Sequence, residues 1–318
     1  MKSLILPASI LAISLGTAWL QFTAEPDKIG DNEVLVMANQ PSYIERIEWI
    51  SKQQEVHVEQ RSDKVGNYLW VEYVDKKLPD DPSRKYFIAG GNGDKLLKAL
   101  SPLVAIRSLD KDLDIATLGL DEPSATMRVT SNGQTRLFSI GDEAYGTKDL
   151  YVRDDASQEI FLVDDSKLRN LRQARTTLPN RAIFPNKPKD AISATLHWKE
   201  ATLQLKHQNT PDAKSATWVY ADKPDADATQ IETWLSKALR TSVSRSANPD
   251  EDISNLIPQF SISLTWDDGI ESKTTYAMLT EDKNTSWWVS NPSTRGYVRV
   301  SGQALGTLLE DLPSLFEK

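Results

Sequence analysis

The chain has 318 residues, 39% hydrophobic and 26% charged, a composition typical of a folded globular protein. Its formal net charge is -8 and the basic residues form no stripe, so nucleic acid is not expected as a partner. The absence of cysteine excludes disulfides, thiolate nucleophiles and zinc–thiolate sites.

The first feature along the chain is an uncharged, apolar stretch at residues 4–22. A helix of this length reaches about 30 Å, the hydrocarbon thickness of a bilayer. Lys2 precedes the stretch and Glu25 follows it, which favours a cytoplasmic N-terminus at residues 1–3. We therefore predict a single-pass membrane anchor, a spacer at 23–42 and the bulk of the chain outside the cytoplasm; the family resemblance given below implies that the membrane is a bacterial inner membrane.

A cleaved signal peptide is the alternative for this stretch, because Gly16-Thr17-Ala18 supplies the small-x-small pattern of a cleavage site. The anchor is preferred, since the apolar run continues past that site to Phe22. Both interpretations place the remainder of the chain outside the cytoplasm.

The glycine-rich residues 89–95 follow a strand-like run and precede a predicted helix, the context of a phosphate-binding loop. They match no phosphate-loop motif, and Asp94 would place a negative charge where the anion should bind. A loop with Asp94 as helix N-cap is the preferred interpretation, and no cofactor is predicted.

The next acidic cluster has the spacing of an EF-hand calcium loop, with Asp110, Asp112, Asp114 and Asp121 as its candidate ligands. Ile115 occupies the position of the required glycine, and Asp121 that of the bidentate glutamate. These departures favour a solvated turn, with calcium as the alternative.

Residues 124–176 form the clearest structural unit. Alternating segments flank Asn132-Gly133, a dipeptide that favours a tight hairpin, and a second hairpin follows at 150–163. Asp165 is predicted to cap a helix that places Leu168 and Leu171 on one face. The same order of elements recurs between residues 260 and 318, which predicts an internal repeat.

The repeat predicts two modules, at residues 43–178 and 190–318, joined by a proline-rich linker at 179–189. Residues 76–86 are interpreted as an extra loop of the first module. Hairpins followed by single helices, without regular βαβ alternation, predict an α+β fold. Its tandem repeated antiparallel sheets are each covered by helices and follow one N-terminal transmembrane helix.

Few side chains suggest a binding, metal or catalytic site. Trp287 and Trp288 are candidates for a ligand or partner surface, although core packing is preferred and only one of them can face a given side of a strand. The spacing of His57, His197 and His207 does not suit a shared metal, so they are predicted to face solvent. No GxSxG, HExxH or phosphate-loop motif occurs, so no catalytic residue is predicted.

Five segments together resemble a bacterial family known as domain of unknown function 4340. The resemblance is best over residues 110–185. Members of this family carry an N-terminal hydrophobic helix. The segments are Leu118-Gly119-Leu120-Asp121-Glu122-Pro123-Ser124-Ala125-Thr126, Asn132-Gly133, Ile140-Gly141-Asp142-Glu143, Tyr151-Val152-Arg153 and Phe161-Leu162-Val163-Asp164. It implies an envelope protein often encoded beside an ABC-type transporter and its gliding-motility-like subunit.

Three functions are compatible with these observations. The first is a non-catalytic, membrane-anchored accessory protein that binds protein partners in an ABC-type envelope complex. The second is a periplasmic module that binds a glycan or another envelope polymer. The third is a hydrolase with convergent carboxylates, which no motif supports.

Overall fold

The computed structural model describes residues 33–77, 83–110, 112–208, 216–281, 284–301 and 303–317. Strands make up 47% of the structure and helices 20%, so the prediction of an α+β fold is wrong and the protein is mostly β. The reason lies in element length, because several hairpin strands have ten or eleven residues whereas one of the covering helices has only eight.

The first sheet has nine antiparallel strands in the order β5-β4-β3-β2-β8-β9-β10-β11-β7. A separate two-stranded sheet pairs β1 with β6. The strands are β1 Val34–Met37, β2 Ile44–Ser51, β3 Gln54–Asp63, β4 Gly66–Asp75, β5 Ser83–Ile88, β6 Leu103–Ala105, β7 Arg107–Leu109, β8 Ala125–Ser131, β9 Gln134–Glu143, β10 Leu150–Asp154 and β11 Ile160–Val163. The helices are α1 Gly91–Ala99, α2 Asp165–Arg172 and α3 Ala174–Thr177.

The second sheet has eight antiparallel strands in the order β14-β13-β12-β16-β17-β18-β19-β15. The strands are β12 Ser193–Trp198, β13 Ala201–Gln208, β14 Thr217–Tyr220, β15 Val243–Ser246, β16 Ile257–Thr265, β17 Glu271–Glu281, β18 Asn284–Asn291 and β19 Gly296–Val300. The helices are α4 Thr229–Leu239 and α5 Gln303–Phe316. Short 3-10 turns lie at Pro41–Tyr43, Ile115–Leu118 and Pro188–Asp190.

The two sheets repeat the same strand order. Beginning at β4 and β14 respectively, each strand of one sheet has its counterpart at the same position in the other, and β7 corresponds to β15. Each sheet packs its helices through one apolar core: Leu168 and Leu171 of α2, like Leu305 and Leu308 of α5, are fully buried. The first sheet has one further strand, β5, where the sequence suggested a loop at residues 76–86.

The segment that was interpreted as a linker contacts both sheets. Asn180 donates its backbone N–H to Ile88 of β5, and Arg181 accepts a hydrogen bond at its backbone oxygen from Val243 of β15. Ile183 lies in the second core. We call this contact of β5, residues 178–183 and β15 the seam.

No helix within the ranges that the structure describes is both long and apolar enough to cross a bilayer. The predicted transmembrane helix at residues 4–22 lies outside those ranges, as do the segment 1–3 and the first half of the spacer, residues 23–32. The helical anchor in the predicted fold is therefore not part of the observed architecture.

Candidate functional site

The glycines of two resemblance segments bring those segments together. Gly119 has a φ of 66°, and a Cβ added there would lie 2.6 Å from Cγ of Asp142. A Cβ on Gly141 would lie 2.1 Å from the backbone oxygen of Leu118. Ser124 donates its hydroxyl to the backbone oxygens of Ile140 and Gly141. These residues build a close junction between the turn at 118–124 and β9, which is a structural role.

Charged side chains surround a depression of about 630 Å³ beside this junction. Arg172 bridges two carboxylates, donating to Oε1 of Glu143 at 2.6 Å and to Oδ1 of the buried Asp165 at 2.5 Å. Arg169 donates to Oδ2 of Asp165 at 2.7 Å. Tyr145 projects from the adjoining β9–β10 loop with its side chain fully exposed. Exposed tyrosine and arginine are the residue types enriched at protein interfaces.

The outer edge of β7 is open: within the described ranges, no strand pairs with its side away from β11. Ile106, at the start of this edge, is 36% exposed, and Leu113 and Ile115 in the turn that follows are 42% and 38% exposed. A strand edge presents unpaired backbone N–H and C=O groups that another extended chain can bind. β7 is therefore a candidate docking edge.

The corresponding edge of the second sheet, β15, is occupied. Val243 donates its backbone N–H to the oxygen of Arg181 at 3.1 Å, and the Arg181 guanidinium donates to the backbone oxygens of Val243 and Ser244 at 3.0 and 3.1 Å. Within the described ranges the chain thus covers β15 at Val243 and Ser244 with a segment of its own, whereas no strand lies beside the outer side of β7.

A groove of about 960 Å³ lies between α4, the ends of β13 and β14 and residues 187–192. The His207 ring stacks on Trp218 with centroids 4.3 Å apart, and its Nδ1 lies 2.8 Å from the backbone oxygen of Ala191. That contact requires a proton on Nδ1 in the neutral ring, which leaves Nε2 as an acceptor. Glu232 accepts from the Thr217 hydroxyl at 3.1 Å. The volume suits a small organic ligand or part of a polymer.

The structure separates the residues that the sequence suggested as sites. Trp287 and Trp288 are 4% and 1% exposed, so neither offers a stacking surface. Trp287 belongs to the second core, whereas Trp288 lies beneath the Arg245 guanidinium at 5.2 Å. Their burial agrees with the preferred interpretation, core packing, and leaves the alternative of a ligand or partner surface without an exposed ring, because both faces of β18 are covered at this point.

The acidic cluster has local structural roles. Asp110 accepts the backbone N–H of Asp112, and Asp114 accepts that of Ala116 at the start of a 3-10 turn. Asp121 lies beyond that turn with its side chain exposed. Nowhere in the described chain do three metal-ligating side chains gather. The calcium alternative therefore has no support from geometry.

The glycine-rich loop forms the start of α1, whose N-cap is Gly90 and not Asp94 as predicted. Likewise Asp164, rather than Asp165, caps α2 by accepting the N–H of Ser166 at 2.7 Å. All three histidines are half-buried rather than facing solvent as predicted. His57 lies 3.7 Å from carboxylate oxygens of Glu48 and Glu55, His197 contacts Thr202, and His207 lines the groove.

Sequence reasoning missed Tyr145, the open edge of β7 and the groove. A lone tyrosine between Ala144 and Gly146 was the only local sign of the exposed loop. The edge and the groove result from the tertiary arrangement of distant segments, and no residue pattern in the sequence predicted either of them.

Fold and surface together define a mostly β protein of two tandem sheets, with an exposed edge and no assembled metal site in its described part. Residues 85–256, more than half of the chain, match the model of the family Domain of unknown function (DUF4340), and the chain belongs to that family. The match runs from β5 to just beyond β15 and so includes the seam. No curated protein and no solved structure matches the chain.

Proposed function

We propose that this protein is a non-catalytic accessory subunit on the outer side of a bacterial inner membrane, where it binds protein partners of an ABC-type envelope complex. The apolar stretch at residues 4–22 supports attachment to, or export across, that membrane. The neighbourhood of transporter genes implied by the family resemblance supports the class of partner.

The contrast between β7 and β15 carries the proposal. Two edges lie at the same position of a repeated sheet, yet within the described ranges a segment of the chain contacts β15, whereas no strand pairs with the outer side of β7. Ile106, Leu113 and Ile115 supply apolar contact area around the open edge. The proposed occupant is an extended segment of a partner protein, bound by backbone hydrogen bonds and anchored by an apolar side chain.

Substitution at this edge tests the proposal by co-purification from membranes in mild detergent. Ile106→Lys places a charge beside the edge, which opposes strand addition without disturbing the core. We expect the variant to lose the partner that the wild-type chain recovers. Ile257→Lys is the matched control, since Ile257 is 60% exposed on a strand of the second sheet and should retain the partner.

Recovery of the same membrane partner by the Ile106→Lys variant would contradict docking at β7. Recovery of no membrane partner by the wild-type chain would contradict the accessory role as a whole.

The groove favours a second candidate function, the binding of a glycan or another envelope polymer. Its supporting observation is the stacked pair of His207 and Trp218 at the wall of a cavity large enough for a ligand. Soluble cell-wall fragments should then change the intrinsic tryptophan fluorescence of the wild-type chain. Trp218→Phe should abolish that change, and a flat wild-type titration would dismiss this candidate.

A further inference from the structure

The seam joins the two sheets into one ordered series of strands. β5, at one end of the first sheet, lies beside β15, at one end of the second. Between them, Pro179 pairs with Ala89, and Arg181 accepts the backbone N–H of Val243. The series therefore begins at β7, passes through the seam and ends at β14. Within the described ranges no strand pairs with the side of β14 away from β13, so β14 is a second open edge.

The repeat makes the two open ends counterparts of the ends that meet at the seam. β14 holds the position of β4 in the repeated strand order, and β7 holds that of β15. The first sheet adds β5 beyond β4, whereas residues 221–228, which the structure describes throughout, follow β14 without a backbone hydrogen bond to it. One chain thus already contains a head-to-tail contact between two copies of the module. The corresponding ends, β14 and β7, can meet between two chains.

The backbone of β14 is suited to pair with another strand. Ala221 donates its N–H to the backbone oxygen of Gln204 in β13. Because alternate residues of an antiparallel strand direct their backbone groups to opposite sides, Trp218 and Tyr220 direct theirs away from β13. The Trp218 nitrogen lies 3.4 Å from a carboxylate oxygen of Glu232, which is a side-chain contact and not a strand pair. β14 also contains no charged residue and no proline, the residues that commonly protect an edge.

Opposite charges lie at the two open ends. Arg107 of β7 is exposed and has no carboxylate partner within the described ranges, whereas its counterpart Arg245 on β15 donates to both carboxylate oxygens of Glu251 at 2.6 Å. Glu232 of α4 lies half-buried beside β14 and accepts the Thr217 hydroxyl at 3.1 Å. It has no cationic partner in the described part of the chain. The cation at one edge and the carboxylate at the other are complementary, and such pairs select a partner and fix its register.

We infer that the chain associates head to tail, with β14 of one copy beside β7 of the next and Glu232 paired with Arg107 across the contact. The inference rests on the docking edge proposed above and names a second copy of this chain as one of its partners. Because the two joined surfaces differ, a dimer leaves one β7 and one β14 open. The open β7 stays available to a transporter partner.

Charge reversal in two differently tagged full-length chains tests this contact, with co-purification from membranes in mild detergent as the measurement. The two wild-type chains should recover each other. Arg107→Glu in both chains, or Glu232→Arg in both, should lower that recovery at least about tenfold, because like charges then face each other. A chain with Arg107→Glu and a chain with Glu232→Arg should again recover each other, because the intact β14 of the first meets the intact β7 of the second.

Lys273→Glu is the matched control, because Lys273 is exposed on β17 in the interior of the second sheet. It should keep the wild-type recovery. Failure of the wild-type chains to recover each other, or undiminished recovery with Arg107→Glu in both chains, would overturn the inference. A mixture of the two variants that recovers no better than either variant alone would overturn it as well.

The same membranes distinguish this self-association from the transporter role. Recovery of a transporter partner without the second tagged copy would overturn the head-to-tail contact alone. Recovery of the second copy without any other membrane protein would support that contact and contradict the transporter role.

Discussion

Gly141 shows how one residue can fix a junction between two segments. Its backbone passes so close to Leu118 that an added Cβ would lie 2.1 Å from the Leu118 oxygen and 3.1 Å from Cγ of Leu120. A contact with backbone cannot be relieved by turning a side chain, so one of the two segments must move.

Gly141→Ala should therefore destabilise the protein by about 1–3 kcal/mol, the usual cost of overpacking. Gly306→Ala is the control of opposite sign, because no atom lies within 4 Å of its added Cβ and alanine favours a helix interior by about 0.5–1 kcal/mol. The midpoints of urea unfolding measure both changes in stability, provided that the slope of the unfolding free energy against urea concentration stays the same. A Gly141→Ala midpoint equal to that of wild type would refute the close approach.

Local chemistry explains which single-residue predictions succeeded. Asn132-Gly133 forms the predicted turn between β8 and β9 because both residues adopt positive φ, at 51° and 70°. Trp287 and Trp288 do point to opposite faces, and their burial agrees with the preferred interpretation, although the sequence could not reveal which distant residues cover them. Their burial depends on tertiary contacts, which local alternation does not encode.

At the scale of elements, Arg136 ties three strands together. From β9 its guanidinium donates to the backbone oxygen of Val36 in β1 at 2.7 Å and to the Asp154 carboxylate in β10. Burial opposes the charge on Asp154, but Arg136 and the N–H groups of Ala156 and Ser157 outweigh it and hold the pKa of Asp154 below its usual 3.8.

This lowered pKa predicts a component of acid unfolding. A carboxylate whose folded pKa lies below its unfolded pKa stabilises the fold fully above the unfolded value, and that contribution disappears as pH falls through the folded value. Stability should therefore decline below about pH 4. Asp154→Asn should flatten this decline in urea unfolding measured from neutral to acid pH. The same substitution at the exposed Asp222 should leave the decline unchanged. A decline in Asp154→Asn equal to that of the wild type would contradict the assignment.

The elements were predicted unevenly for a physical reason. The hairpins at 125–143 and 257–281 carry alternation and turn signals in their own sequence, so they were found. β5 begins with the polar residues Ser83, Arg84 and Lys85 and looks like a loop; only pairing with β4 makes it a strand. The open edge of β7 was equally unpredictable, because it depends on tertiary structure: within the described ranges no strand pairs with its outer side.

At the scale of the whole molecule, the two sheets are joined by more than the seam. Arg295, in the β18–β19 turn, donates to Asp63 of the β3–β4 hairpin at 2.8 Å and lies over the Tyr68 ring at 4.2 Å. The chain thus presents two sheets with defined contacts between them, and the edge of β7 lies at the far end of the first sheet from those contacts. Within the described ranges that placement leaves the edge uncovered, as the proposed docking requires.

Site-specific photo-crosslinking in intact cells tests this account most directly. A photoreactive residue at Ser108, exposed on β7, should crosslink to an envelope protein. The same residue at Ser244, on the covered edge β15, should give no such product. Absence of a crosslink at Ser108, products of equal yield at both positions, or products with cytosolic proteins alone would contradict the proposed docking edge and its compartment.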